Sequence, residues 1–116
     1  MATWRSAERT ASTLPQAELG EAHEGSPAVY VRTRQFARLR WDGERELLQV
    51  WLPDAQLVAS YVEENPETYR AIPGYSRLVL LCALDRLDEA TVRELLVESW
   101  AARAPKRLVA AHPDLR

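Results

Sequence analysis

One segment, from Ile72 to Leu108, constrains the fold of this 116-residue chain more than any other part of its sequence. Pro73-Gly74 predicts a type II turn, and the apolar run from Leu78 to Leu84 predicts a strand that is buried on both faces. Asp88 then predicts the N-cap of a long helix, which Pro105 breaks or kinks. A buried strand followed by a closing helix favours an α+β domain.

The other elements are predicted from apolar spacing and from turn residues. Short connections between strand-like runs imply antiparallel pairing, so we expect two layers, with helices packed on one face of an antiparallel sheet. The expected order is α–βββ–α–β(β)–α, and the spacing does not determine the strand order. The predicted elements are a helix over 3–14, a loop over 16–27, strands at 28–31, 35–41 and 45–52, and a helix over 54–64.

The length and composition are those of one soluble domain over residues 1–116. Hydrophobic residues make up 47% and charged residues 28% of the chain, which is an ordinary globular mixture. Cys82 is the only cysteine, so an internal disulfide is excluded and a reducing, cytoplasmic setting is expected. The longest apolar run is too short to span a bilayer, so we expect no membrane association.

Charge is distributed unevenly along the chain, although the net charge is only −2. A weakly acidic total argues mildly against a dedicated nucleic-acid-binding protein, since phosphate contacts dominate the affinity of such proteins. Two stretches are nevertheless basic and free of acidic residues. The bases in them are Arg32, Arg34, Arg38 and Arg40 in the first, and Arg103, Lys106 and Arg107 in the second.

Several short stretches, in this order and spacing, resemble the YjbR/MmcQ family of small bacterial proteins. They are His23–Pro27, Val31–Leu39 (VRTRQFARL), Pro73-Gly74-Tyr75, and Leu87–Leu108 with its ending ESWAARAPKRL. The resemblance covers about Leu14 to Leu108. It implies a compact α+β domain similar to the bacterial frataxin (CyaY-like) fold.

The resemblance also implies binding to double-stranded DNA, because family members are generally labelled DNA-binding through two hairpin-like projections that form a double wing. It brings no catalytic residues. One departure from the family concerns the first hairpin, where Thr33 stands in place of a glycine and Arg34 in place of a lysine. Threonine disfavours positive φ, so a tight primed turn is less favourable here.

The candidate nucleic-acid-binding residues are Arg32, Arg34, Arg38 and Arg40 of the first stretch and Lys106 and Arg107 of the second. Alternation along the second predicted strand places Phe36, Arg38 and Arg40 on one face, and arginine suits phosphate through bidentate hydrogen bonds. Lys106 and Arg107 would add phosphate contacts. The alternative interpretation is a solvated sheet face, on which the arginines lie over Phe36 or pair with Glu44 and Glu46, and we favour it for these residues taken alone.

Enzymatic and metal-binding functions find little support. The sequence has no Gly-rich phosphate loop, no nucleophile elbow and no paired Cys and His, so we expect a non-enzymatic protein without cofactor or metal. Two functions from different classes remain: weak, non-specific DNA binding through the basic hairpin, or a protein-interaction module or homodimer that uses an exposed sheet face or edge.

The sequence also predicts where the four tryptophans and one serine of the last helix lie. Trp4 and Trp100 are predicted to lie in the core, and Trp41 and Trp51 to pair across adjacent strands. Ser99, on the apolar side of the last helix, is predicted to be a small packing residue.

Overall fold

Short turns join most consecutive strands of this chain, and this connectivity produces an antiparallel sheet. The computed structural model describes residues 1–115. Its elements in chain order are α1 (Trp4–Ala11), β1 (Ala17–Glu21), β2 (Pro27–Val31), β3 (Arg34–Asp42), β4 (Arg45–Trp51), α2 (Ala55–Glu64), β5 (Tyr69–Arg70), β6 (Val79–Ala83), a 3-10 turn (Leu84–Arg86), α3 (Glu89–Arg103), α4 (Lys106–Ala110) and a second 3-10 turn (Pro113–Leu115). The strand order across the sheet is β1-β2-β3-β4-β6-β5, and every neighbouring pair is antiparallel.

The predicted fold class is confirmed, with helices packed against one face of the sheet. All four α-helices contribute to one hydrophobic core, through residues such as Trp4, Val58, Trp100 and Leu108. The strand predicted to be buried on both faces is β6, whose five residues are all buried. Among the described residues, no helix is both long enough and apolar enough to cross a bilayer.

Residues 16–27, predicted to be a loop, contain the edge strand β1. This strand has a hydrogen-bonded neighbour on one side only and is largely exposed, so its sequence lacks the apolar alternation that would have identified it. Gly20 lets the ring of Tyr30 approach β1 closely, because a Cβ there would lie 3.0 Å from the ring and would displace it. The Tyr30 hydroxyl also donates a hydrogen bond to the Glu21 carbonyl oxygen (2.7 Å) and so holds the ring over β1.

In the first hairpin turn, the residue with the sterically unfavourable positive φ is Arg32 and not Thr33. Val31 pairs with Arg34, which leaves a two-residue loop. Arg32 has a φ of 58°, whereas Thr33 is not among the residues with positive φ. A positive φ at the first loop residue alone is typical of a type II′ turn, which matches the twist of the strands. The tight turn is therefore formed despite the threonine.

The second hairpin turn has Gly43 and Glu44 as its two loop residues, because Asp42 pairs with Arg45. Gly43 has a φ of 62°, which a glycine adopts without steric cost.

A β-bulge interrupts the pairing of β2 with β3. Val29 faces Ala37 and Tyr30 faces Gln35, so Phe36 is an extra residue without a partner. Phe36 and Ala37, although consecutive, are both fully buried in the core. The bulge thus sends two adjacent side chains towards the helices.

Ser99 of α3 completes the hydrogen bonding at this bulge. The paired register of β3 and β4 starts at Arg38 and Gln49 and does not reach Phe36. The fully buried Ser99 hydroxyl donates to the Phe36 carbonyl oxygen (2.5 Å) and accepts from the Trp51 N–H (2.9 Å). Ser99 is therefore a hydrogen-bonding bridge between two strands, and its prediction as a packing residue was incomplete.

Replacing Ser99 with alanine is expected to destabilise the protein by about 1–3 kcal/mol, because it leaves a buried N–H and a buried carbonyl without a partner. Urea unfolding followed by circular dichroism measures this change. The exposed Ser60 of α2 provides a matched control, since Ser60→Ala should change stability by less than about 0.5 kcal/mol. Equal stability of the two variants would contradict the bridging role of Ser99.

The sheet face opposite the helices holds Arg38 and Arg40, and it does not hold Phe36. The prediction that these three side chains share a face is wrong, because the bulge turns Phe36 into the core. Arg38 is only 5% exposed, and its guanidinium is ion-paired with the carboxylate of Glu24. The Nε of Arg40 donates to the Gln49 side-chain oxygen (2.7 Å). Both arginines are thus engaged within the protein.

The pairing of Glu24 with Arg38 is expected to make stability depend on pH. The backbone N–H of Glu24 and the guanidinium of Arg38 hold the pKa of Glu24 below its usual value of 4.5, against an opposing effect of burial. A lowered folded-state pKa means that the carboxylate contributes stability above about pH 4.5 and that this stability is lost as the pH falls through the folded pKa. Glu24→Gln should therefore lower the urea midpoint at about pH 7, and the difference from wild type should shrink at about pH 3.

Glu44→Gln is the control for this experiment, since Glu44 is exposed and forms no ion pair among residues 1–115. A difference between wild type and Glu24→Gln that stays constant from neutral to acid pH would contradict the stabilising role of the charge.

Candidate functional site

A basic groove lies between the tip of the β2–β3 hairpin and the elbow at which α3 passes into α4. We call it the tip groove, and its volume is about 490 Å³. Thr33, three alanines and Pro105 form its neutral lining, and no acidic residue lines it. Four cationic side chains complete the lining: Arg32, Arg34, Arg103 and Lys106. The groove therefore combines a local excess of positive charge with a net negative chain.

The hairpin brings Arg34 to the helix side of the sheet. Arg34 is directly opposite Val31, and directly opposed residues project from the same face. Val31 is buried in the core beneath the helices, so Arg34 extends towards α3. Arg32, in the left-handed conformation at the turn, forms the exposed tip beside it.

Arg103, at the end of α3, is fixed in place by two contacts. Its Nε donates to the Gln35 carbonyl oxygen (2.8 Å), and its guanidinium lies over the ring of Trp51, 4.7 Å from the ring centroid. Burial and the nearby charge of Arg34 lower the pKa of Arg103. The two guanidinium groups thus repel each other across the groove, and a bound anion would relieve that repulsion.

The elbow presents Lys106 to the groove. Pro105 precedes the first turn of α4 and interrupts the helix after Arg103, as the sequence predicts. Lys106 lines the groove, whereas Arg107 is exposed on the same helical turn outside it.

The structure brings together three of the six predicted binding residues: Arg32, Arg34 and Lys106. Arg107 lies next to this group. Arg38 and Arg40 do not belong to it, because they lie on the opposite sheet face and are held by Glu24 and Gln49. Glu46, suggested as a partner for the arginines, instead accepts a hydrogen bond from the Trp4 backbone N–H (2.9 Å).

Arg103 lines the tip groove but was not among the predicted binding residues. Its place at the end of the apolar side of the last helix, one turn after Ser99 and Trp100, was the available signal. An arginine that ends such a stripe lies at the border of the core, where its stem packs and its guanidinium reaches the surface.

The predicted pairing of Trp41 with Trp51 is wrong. Trp41 is 55% exposed at the end of β3 and faces Glu46, whereas Trp51 ends β4 at the opposite end of the sheet and faces Val79. The core positions of Trp4 and Trp100 are confirmed. Trp51 supports Arg103 and so belongs to the surroundings of the tip groove.

The described part of the chain offers few other reactive, metal-binding or ligand-binding groups. Cys82 is fully buried, and burial raises the pKa of its thiol well above the usual value, so the reactive thiolate is disfavoured. Residues 1–115 contain no group of three or more His, Cys, Asp or Glu side chains that could hold a metal ion. A second groove, of about 530 Å³, follows the outer side of α3, but Glu94 and Glu98 accompany Arg93 in its lining.

Comparison with known proteins identifies one family. The model of the YjbR family matches residues 12–102, a range that contains the β2–β3 hairpin, the bulge and most of α3. Arg103 and Lys106 lie just beyond this range. No curated protein and no solved structure matches the chain. Because the family model matches well over half of the sequence, the chain belongs to the YjbR family.

Proposed function

We propose that this YjbR-family protein binds DNA weakly and without sequence preference, through phosphate contacts in the tip groove. The observation that carries the proposal is the convergence of three arginines and one lysine on a single groove with no acidic residue in its lining. Guanidinium groups bind phosphate oxygens with two parallel hydrogen bonds, and an ammonium adds a point charge.

The contacts available in the groove favour the DNA backbone over its base edges. Arg103 is fixed by Gln35 and Trp51, and the hairpin tip is a two-residue turn, so neither supplies an element long enough to read base edges along a major groove. Backbone contacts carry no sequence information directly. With four cations, the logarithm of the binding constant should fall with the logarithm of the salt concentration with a slope no steeper than about −4 on duplex DNA.

The proposal includes a non-enzymatic role in the cytoplasm. The buried thiol of Cys82 supports both parts, because it offers no nucleophile and because a lone buried cysteine suits a reducing compartment.

Duplex DNA binding at about 50 and 200 mM salt tests the proposal, because counterion release changes affinity strongly over this range. Fluorescence anisotropy with a labelled duplex of arbitrary sequence gives the affinity. Replacing Arg34 and Lys106 together with alanine removes two of the four groove cations. We expect a loss of roughly tenfold per lost contact at about 50 mM salt, and a salt dependence about half as steep.

The matched control removes two arginines elsewhere. Arg5 and Arg9 are exposed on α1 and do not line the tip groove, so Arg5→Ala, Arg9→Ala has the same change in net charge. This variant should keep most of the wild-type affinity. The proposal fails if wild type does not bind duplex at low salt, or if the two double variants bind equally.

A second candidate function is self-association or protein binding at the edge strand β1. Its specific support is Leu19, which is 60% exposed on a strand whose outer edge has no neighbouring strand among the described residues. Sedimentation velocity should then show a dimer or a complex whose stability barely depends on salt, and Leu19→Lys should dissociate it. A monomeric protein across the micromolar range would exclude the dimer.

A further inference from the structure

The exposed loop between β5 and β6 carries an aromatic side chain at the same end of the sheet as the tip groove. Pro73-Gly74 forms the predicted type II turn, in which Gly74 has a φ of 75° and the Tyr75 N–H donates to the Ile72 carbonyl oxygen (3.1 Å). The turn projects Tyr75 from the surface, and the residue is 48% exposed.

Backbone contacts link this loop to the residue that supports Arg103. The Leu52 N–H donates to the Leu78 carbonyl oxygen (2.8 Å), and the next pair along, Trp51 and Val79, begins the β4–β6 ladder. Trp51 in turn lies beneath the guanidinium of Arg103. The loop therefore ends beside the groove wall.

Electrostatics also relate Tyr75 to the groove. The pKa of Arg103 is lowered by burial and by Arg34, and the phenol of Tyr75 acts in the opposite direction on the same guanidinium. This interaction agrees with the backbone contacts to Leu52 and Trp51, which place the loop at the groove end of the sheet.

The Tyr75 ring is supported from within the protein. The guanidinium of Arg40 lies over the ring, 6.0 Å from its centroid, and Arg40 is itself held by Gln49. A half-exposed ring with a cation on one side offers a flat apolar surface to a second planar group.

We infer that the site takes single-stranded nucleic acid, with the phosphates in the tip groove and an unpaired base stacked on Tyr75. The inference deepens the proposed function and rests on it. A cationic groove flanked by an exposed aromatic side chain is the usual arrangement for binding single strands without sequence preference.

A duplex would use only half of this arrangement. Its bases are already stacked on one another, and only their edges are accessible, so the flat face of Tyr75 would have no partner. A single strand supplies both phosphates and unstacked bases. The four cations of the tip groove are confined to one small site, which suits a flexible strand better than a rigid duplex that needs an extended basic surface.

The test compares three probes of about 12 nucleotides, within the site sizes of known single-strand binders. They are oligodeoxythymidylate, its duplex with oligodeoxyadenylate, and a strand of the same length without bases. At about 50 mM salt we expect thymidylate to bind more tightly than the other two. Tyr75→Ala should weaken thymidylate binding about 5- to 100-fold and leave binding to the baseless strand and to the duplex unchanged.

Trp41 provides the matched control, because it is an exposed aromatic residue at the far end of the sheet. Trp41→Ala should bind thymidylate as wild type does, and Tyr75→Phe should retain at least most of the affinity, since stacking does not need the hydroxyl. These results, together with the selective loss in Tyr75→Ala, would establish the stacking role.

The outcomes that overturn the inference differ from those that overturn the proposed function. If the duplex binds as tightly as thymidylate, or if Tyr75→Ala binds thymidylate normally, the inference fails while phosphate binding in the tip groove stands. If none of the probes binds, both fail. If Tyr75→Ala weakens all three probes equally, Tyr75 supports the groove structurally and the stacking role is excluded.

Discussion

The hydroxyl of Ser99 is the interaction on which the arrangement of the candidate site depends. The bulge at Phe36 interrupts the pairing of β2 with β3, and the pairing of β3 with β4 does not reach Phe36, so a buried hydroxyl from α3 links Phe36 to Trp51 instead. This bridge fixes the position of α3 against both strands at once. Arg103 follows one turn later along α3, so the same bridge determines where its guanidinium meets the hairpin. The position of the tip groove therefore depends on the bulge at Phe36.

Two groups of arginines in this chain differ in the charges that surround them. Arg38 is ion-paired with Glu24, and Arg40 is hydrogen-bonded to Gln49, on the sheet face opposite the helices. The tip groove has no acidic residue in its lining, and the charge of Arg34 lowers the pKa of Arg103. Net charge does not reveal this difference, because it counts an arginine beside a carboxylate and an arginine beside other cations alike. The local surroundings of each charge, and not the total of −2, indicate where an anion would bind.

Features determined by neighbouring residues could be predicted from sequence, and features determined by distant contacts could not. The caps at Asp54 and Asp88, the turn at Pro73-Gly74 and the buried strand β6 depend on local conformation or on a run of apolar residues. The edge strand β1 pairs on one side only and so has little apolar patterning. The bulge depends on register between strands, and without it simple alternation placed Phe36 and Arg38 on one face. The place of Arg103 in the tip groove is apparent only when α3 and the hairpin are brought together.

The left-handed conformation of Arg32 means that stability and charge favour different residues at position 32. A side chain in this conformation has a steric cost of about 1 kcal/mol, which a glycine would avoid. Glycine would also remove the cation at the most exposed point of the tip groove. The most stable hairpin and the most strongly cationic hairpin are consequently two different sequences. A version of this protein engineered for thermal stability alone would tend to lose charge at this turn first, without any disturbance of its core.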